Sequence, residues 1–133
     1  MRELVLIPLV ALLALAGCKS GDVTVSGTVT YRERMALPPD AVVKVAIEDV
    51  SLGDAPVRLI ASTEIKTAGR QVPIGFAITL MDPGSIDPKH QYGLRVRIED
   101  GAGALMFIND TRYSVITNGV LKQDVVVKRV AAP

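Results

Sequence analysis

From residue 23 onward apolar and polar side chains alternate with a period of two, and no stretch shows a sustained period of 3.6. That pattern rules out a helical domain and predicts a succession of half-buried strands. In the first, Val23, Val25, Val29 and Tyr31 share one face, and Thr24, Ser26, Thr28 and Thr30 share the other. Gly27 falls on the apolar face, where a missing side chain marks a bulge or a close approach of another chain segment.

The same reading places Ala41, Val43, Val45 and Ile47 inside a second strand. A third has Val57, Leu59, Ala61 and Ile65 inside, and a fourth Val72, Ile74, Phe76, Ile78 and Leu80. Pro73 cannot donate to a ladder, so the fourth strand is expected to begin at an edge. In the fifth, Tyr92, Leu94, Val96 and Ile98 point inward and Arg95, Arg97 and Glu99 outward. A Gly101 to Gly103 hairpin turn leads to a strand at 104–108. A short strand near Tyr113 to Ile116 follows, and an Asn118-Gly119 turn precedes a last strand carrying Val125 and Val127. Two polar, proline-bearing stretches, Arg32 to Asp40 and Met81 to Gln91, break the pattern, and the second has room for at most one helical turn. Seven to eight short strands at near-regular spacing predict an all-β fold, an antiparallel β-sandwich of Ig-like or transthyretin-like kind, with a small barrel as the alternative.

The N-terminal segment is of a different nature. Met1 and Arg2 supply positive charge, Leu4 to Leu15 an apolar run, and Ala16-Gly17 a small pair before Cys18, the one cysteine of the chain. The run is too short for a comfortable membrane span. It reads as an export signal over 1–17 that ends in a lipobox, with Cys18 the lipidated first residue of the mature chain. The alternatives are an ordinary cleaved signal followed by a free thiol, or an uncleaved anchor. Residues 18–22 form a tether whose reach is on the order of 15 Å, which would hold the domain of residues 23–133 against the membrane. With Cys18 lipidated no thiol remains, so stability must come from packing rather than from disulfides. A net charge of +1 with both signs interleaved names no nucleic-acid partner.

Constellations for chemistry are sparse. His90, the one histidine, lies near Asp82 and Asp87, but a turn rich in Asp and Pro accounts for the same residues without a metal. None of Ser26, Ser51, Ser62, Ser85 and Ser114 sits in a nucleophile elbow. The pairs Glu48-Asp49 and Glu99-Asp100 read as solvated strand ends. Asn109-Asp110-Thr111 matches a glycosylation sequon, and Tyr31, Tyr92 and Tyr113 read as rings buried at the core edge with wet hydroxyls. No cofactor motif is present.

The runs Ser26 to Arg34, Leu37 to Ala41, Asp49-Val50-Ser51, Pro73 to Phe76, Ile86-Asp87-Pro88 and Tyr92 to Ile98 form a recognisable set. Together they resemble the YbaY family of bacterial lipoproteins, which also includes the YscW-like pilotins of type III secretion. The resemblance implies a lipid-anchored β-sandwich with no catalytic residues to carry over. Its pilotin members help a secretin ring reach the outer membrane. The function expected is that of a non-enzymatic, outer-membrane-anchored, periplasm-facing lipoprotein that binds an envelope protein, with Arg32 and Arg34, or Asp87 and His90, on the partner-binding surface. Lys19 in place of aspartate after Cys18 favours outer-membrane residence. The alternatives are a small-ligand or lipid-binding module, which needs an apolar cavity between the sheets, and a hydrolase, which needs a carboxylate within hydrogen-bond reach of His90.

Overall fold

A computed structural model describes residues 22–53 and 56–130. The segment 1–17, Cys18 and most of the tether lie outside the described residues. Alternation becomes two sheets: β1 (Val23–Thr30), β4 (Ile74–Leu80) and β8 (Lys122–Val126) form one, in the order β4-β1-β8. The other runs β3 (Arg58–Lys66), β2 (Val42–Asp49), β5 (Tyr92–Glu99), β6 (Leu105–Ile108) and β9 (Lys128–Arg129), with β7 (Tyr113–Val115) also paired to β5. The architecture is the expected β-sandwich. Pro73 immediately precedes β4 (Ile74–Leu80), which stands at the edge of its sheet as expected.

The inward residues of the alternating strands fill the space between the sheets. Val25, Val29, Val43, Ile47, Val96, Ile98, Phe107, Val115, Val125 and Val127 are each fully buried. Each such side chain contributes about 1.5–3 kcal/mol relative to leaving it in water. Tyr31 stacks on Phe107 with ring centroids 4.2 Å apart and planes 11° from parallel. The last strand switches sheets at Val127, whose N–H donates to the Thr30 carbonyl, so β8 and β9 close one corner of the sandwich.

Three details depart from simple alternation. The β1·β8 pairing is parallel, Ser26 opposite Lys122 and Thr30 opposite Val126. The chain reaches β8 from the end at which β1 starts, and the slot beside β1 is the free edge there. A Cβ on Gly27 would collide with the Gln123 backbone, so the glycine marks the close approach of β8 rather than a bulge.

The third strand is read wrongly at its start. Ile47 pairs with Ala61 but Glu48 with Leu59, which leaves Ile60 as the extra residue of a β-bulge. Past the bulge the faces exchange: Val57 and Leu59, expected inside, are 47% and 60% exposed, while Ile60 packs on the core. The third departure concerns the carboxylates at strand ends, which are covered and paired rather than solvated. Glu99 is 8% exposed, with Lys44 Nζ at 3.1 Å and Arg97 Nε at 3.0 Å. The Arg97 contact is misaligned for a hydrogen bond and acts by charge alone. Glu48 meets Arg95 at 3.2 Å.

Register also sorts the loops into two ends. Val23 pairs with Leu80, Asp49 with both Arg58 and Tyr92. The entry of β1, the segments 50–53 and 56–57, the 81–91 loop and the 116–121 turn therefore share one end. The 31–41, 67–73 and 100–104 loops share the other, roughly 25 Å away along an eight-residue strand.

Candidate functional site: the two ends of the sandwich

At the end where the chain enters, the 81–91 loop turns back on β2. Its one helical element is a single 3-10 turn, Pro83–Ser85. His90 Nδ1 lies 2.6 Å from Asp49 Oδ2, and Nε2 faces Asp87 Oδ2 at 3.5 Å. The Ser51 hydroxyl and N–H both donate to Asp49 Oδ1, at 2.6 and 3.0 Å. Ser51 Oγ in turn accepts the Gln91 N–H at 2.8 Å. Those donors, Ser51 first and His90 after it, hold the Asp49 carboxyl down to about 2.

A carboxylate does lie within reach of His90, as the hydrolase alternative needs. The order of contacts is that of a clip, however. The nearby hydroxyl, Ser51, donates to the carboxylate and not to His90 Nε2, which faces a second carboxylate, so the relay from nucleophile through imidazole to carboxylate is not formed. The cluster ties the 81–91 loop to the end of β2. Tyr92 fastens the same loop by accepting the Asp87 N–H at 2.9 Å.

The opposite end presents Arg32 and Arg34, both exposed. Their loop is held from beneath: the Tyr31 hydroxyl donates to the Met35 carbonyl at 2.7 Å, and Gln71 brackets Leu37 by accepting its N–H and donating to its carbonyl. Glu33 accepts the Arg129 N–H at 3.0 Å, and this bond lowers its carboxyl. Beside Arg32 lies a depression of about 290 Å³ lined by Glu33, Val126, Val127 and Lys128. Arg32 and Arg34 on the one hand, Asp87 and His90 on the other, stand at opposite ends, so they belong to two surfaces and not to one.

Sequence reasoning missed what the tyrosine hydroxyls and Asn109 do. None of the hydroxyls is simply wet, since Tyr113 accepts the Val126 N–H at 3.0 Å just as Tyr31 and Tyr92 bond backbone. Asn109 sits where β6 leaves β5 and β7 has not yet joined it. Its Oδ1 accepts the Val96 N–H at 2.8 Å, and its Nδ2 donates to the Leu94 and Thr111 carbonyls. The side chain stands in for a missing stretch of strand. The sequon was the visible signal there, and the amide it contains is engaged in these bonds.

A shallow groove of about 260 Å³ crosses the outer face nearby, between Glu48, Leu52, Val57, Gly93, Arg95 and Arg112. The space between the sheets is occupied by the core itself. Among the described residues no helix is long and apolar enough to cross a membrane.

Comparison with known proteins agrees with this architecture. The family model described as type III secretion system lipoprotein chaperone (YscW) matches residues 20–127. The uncharacterized lipoprotein YbaY of Escherichia coli K12 is 39% identical over 112 residues, 82% of this chain, and the chain spans 58% of that relative's length. Among solved structures, an alternative pilotin from the type II secretion system of Vibrio cholerae superposes with a TM-score of 0.79. It is 41% identical, and the match covers 84% of this chain and 99% of the pilotin. Sequence, fold and length of match agree: the chain belongs to the YscW family of lipoprotein chaperones.

Proposed function

We propose that this chain is a non-enzymatic, pilotin-like chaperone, anchored through a lipidated Cys18 to the periplasmic face of the outer membrane, that holds an envelope-assembly protein by its far end. The observation that carries this reading is the 41% identity extending over 99% of a pilotin, a likeness of whole domains rather than of a motif. Export and anchoring are read from the apolar segment that ends in Ala16-Gly17-Cys18, and Lys19, where an aspartate would favour inner-membrane retention, supports outer-membrane residence. The domain then spans residues 23–133, with 1–17 removed.

The geometry supports the far end as the partner surface. A tether of about 15 Å holds the entry end near the lipid, while the Arg32 and Arg34 loop stands roughly 25 Å further out, braced and ready to bind without an ordering cost. Arg32 and Lys128 line the small depression together with Glu33, whose carboxylate is engaged by the Arg129 N–H. With the exposed Arg34 on the same loop they suit an acidic segment of the partner. The test is affinity capture from detergent-solubilised envelope with the wild-type chain, an Arg32→Glu/Arg34→Glu variant, and a variant with 87–90 replaced by Gly-Ser. The reading predicts that the main captured protein disappears with the first variant and persists with the second. Capture undiminished by the arginine reversal overturns the far-end surface.

A further inference from the structure

The large apolar side chains that the described residues leave exposed are Leu52, Val57, Leu59, Met81 and Leu121, at 70, 47, 60, 92 and 44%. Register places Leu52, Val57, Leu59 and Met81 at one end and Leu121 next to them, beside the first half of β1. Leu59 pairs with Glu48 near the close of β2, and Leu52 and Val57 flank the loop that follows. Met81 succeeds Leu80, the partner of Val23, and the Leu121 carbonyl accepts the Ser26 N–H. This is the end at which the chain enters from residue 22.

We propose that this rim of separate apolar side chains seats in the interfacial layer of the phospholipid membrane that carries the anchor. The inference rests on lipidation of Cys18, with only Lys19 to Asp22 between that residue and Val23. A tether reaching on the order of 15 Å keeps this end, of all parts of the domain, next to the surface. Leu52 and Val57 border one shallow groove. Leu59, however, belongs to the larger sheet, while Met81 follows β4 and Leu121 precedes β8 in the smaller one. The side chains therefore ring the sandwich instead of gathering on a single face as a protein partner or a second copy would need. Charges of both signs stand among them, Asp22, Asp82 and Asp87 against Arg58, Lys89 and Lys122. Attraction to anionic headgroups therefore does not drive the contact, and burial of apolar area does. The seating fixes the orientation of the sandwich on the membrane and turns the Arg32 loop outward.

The chain contains no tryptophan, so single tryptophans report depth without background. Lipidated full-length Leu52→Trp, Met81→Trp and Leu121→Trp are reconstituted in phosphatidylcholine vesicles with and without brominated acyl chains, beside Ala36→Trp at the far end. The expected result is a blue shift and loss of emission on bromination for the first three, none for Ala36→Trp, and no change on adding phosphatidylglycerol. Flotation with the vesicles but equal, unquenched emission at all four positions overturns the seating while leaving the anchor intact. Failure to float, with an unmodified Cys18 mass, overturns both. Vesicle-independent blue shifts accompanied by dimer formation assign the rim to a second copy and overturn the proposal.

Discussion

At the scale of single residues, the clip at Asp49 makes a pH prediction whose sign follows from its donors. Its carboxyl sits at about 2 in the fold, below its ordinary value of 3.8. A carboxylate depressed in this way contributes stability above pH ~4 and loses that contribution as pH falls toward 2. Because Ser51 is the first cause and His90 a lesser one, Ser51→Ala should raise the Asp49 value clearly and His90→Ala only slightly. Carbon-detected NMR titration of the side-chain carboxyl checks this, and the reverse ranking would show the imidazole to be the dominant partner. Asn109→Ala should cost about 1–3 kcal/mol, since it leaves the Val96 N–H and Leu94 carbonyl without the partners that replace a strand. Substituting Thr111 by Ala, which breaks the sequon but keeps the amide, should cost far less in the same denaturant melts. Roles of this kind were not legible in the sequence. An Asn followed by Asp and Thr looks the same whether its amide faces water or bridges a backbone, and a tyrosine at a core edge does not announce where its hydroxyl goes.

At the scale of the element, periodicity fixed most strands because their inner face is dry and their outer face wet, which any one-residue slip would reverse. Val25, Val45, Phe76 and Val96 all point where alternation puts them. The failure in β3 has a definite cause: a bulge adds one residue, and nothing in the run from Val57 to Ala61 distinguishes an inserted Ile60 from a continuing alternation. Substitution can tell them apart. Leu59→Asp should leave the melt nearly unchanged, whereas Ile60→Asp should destabilise by several kcal/mol by placing a charge against the core. Equal losses would place the bulge elsewhere. Phe107→Ala removes a fully buried ring and its stack on Tyr31, and should cost about 3–5 kcal/mol. Lys44→Ala leaves Glu99 with Arg97 alone and should cost at most about 1 kcal/mol, as a half-exposed pair. A melt that ranked Lys44 above Phe107 would reverse the assignment of inner and outer faces. The parallel β1·β8 pair was equally invisible, because strand direction within a sheet depends on which end the chain returns from and not on side-chain pattern.

At the scale of the whole molecule, the two loops that the sequence offered as one kind of candidate are separated by the length of the sandwich. The separation puts them in different surroundings. The loop holding Asp87 and His90 is tied down beside the entry end by Asp49, Ser51 and Tyr92. The loop holding Arg32 and Arg34 is braced at the other end with both arginines exposed. The proposed chaperone, anchored at one end and loaded at the other, uses this polarity of the sandwich. The fold itself does not depend on that fastening, so Cys18→Ala should leave the melting transition of the sandwich unchanged while moving the protein from outer-membrane to soluble periplasmic fractions. The measurement closest to the central claim is the intact mass of the N-terminal peptide from protein purified out of native membranes. The account predicts a peptide beginning at Cys18 and carrying a diacylglyceryl group, usually with a third acyl chain on its amine. A peptide beginning at Met1, or an unmodified Cys18, would contradict it.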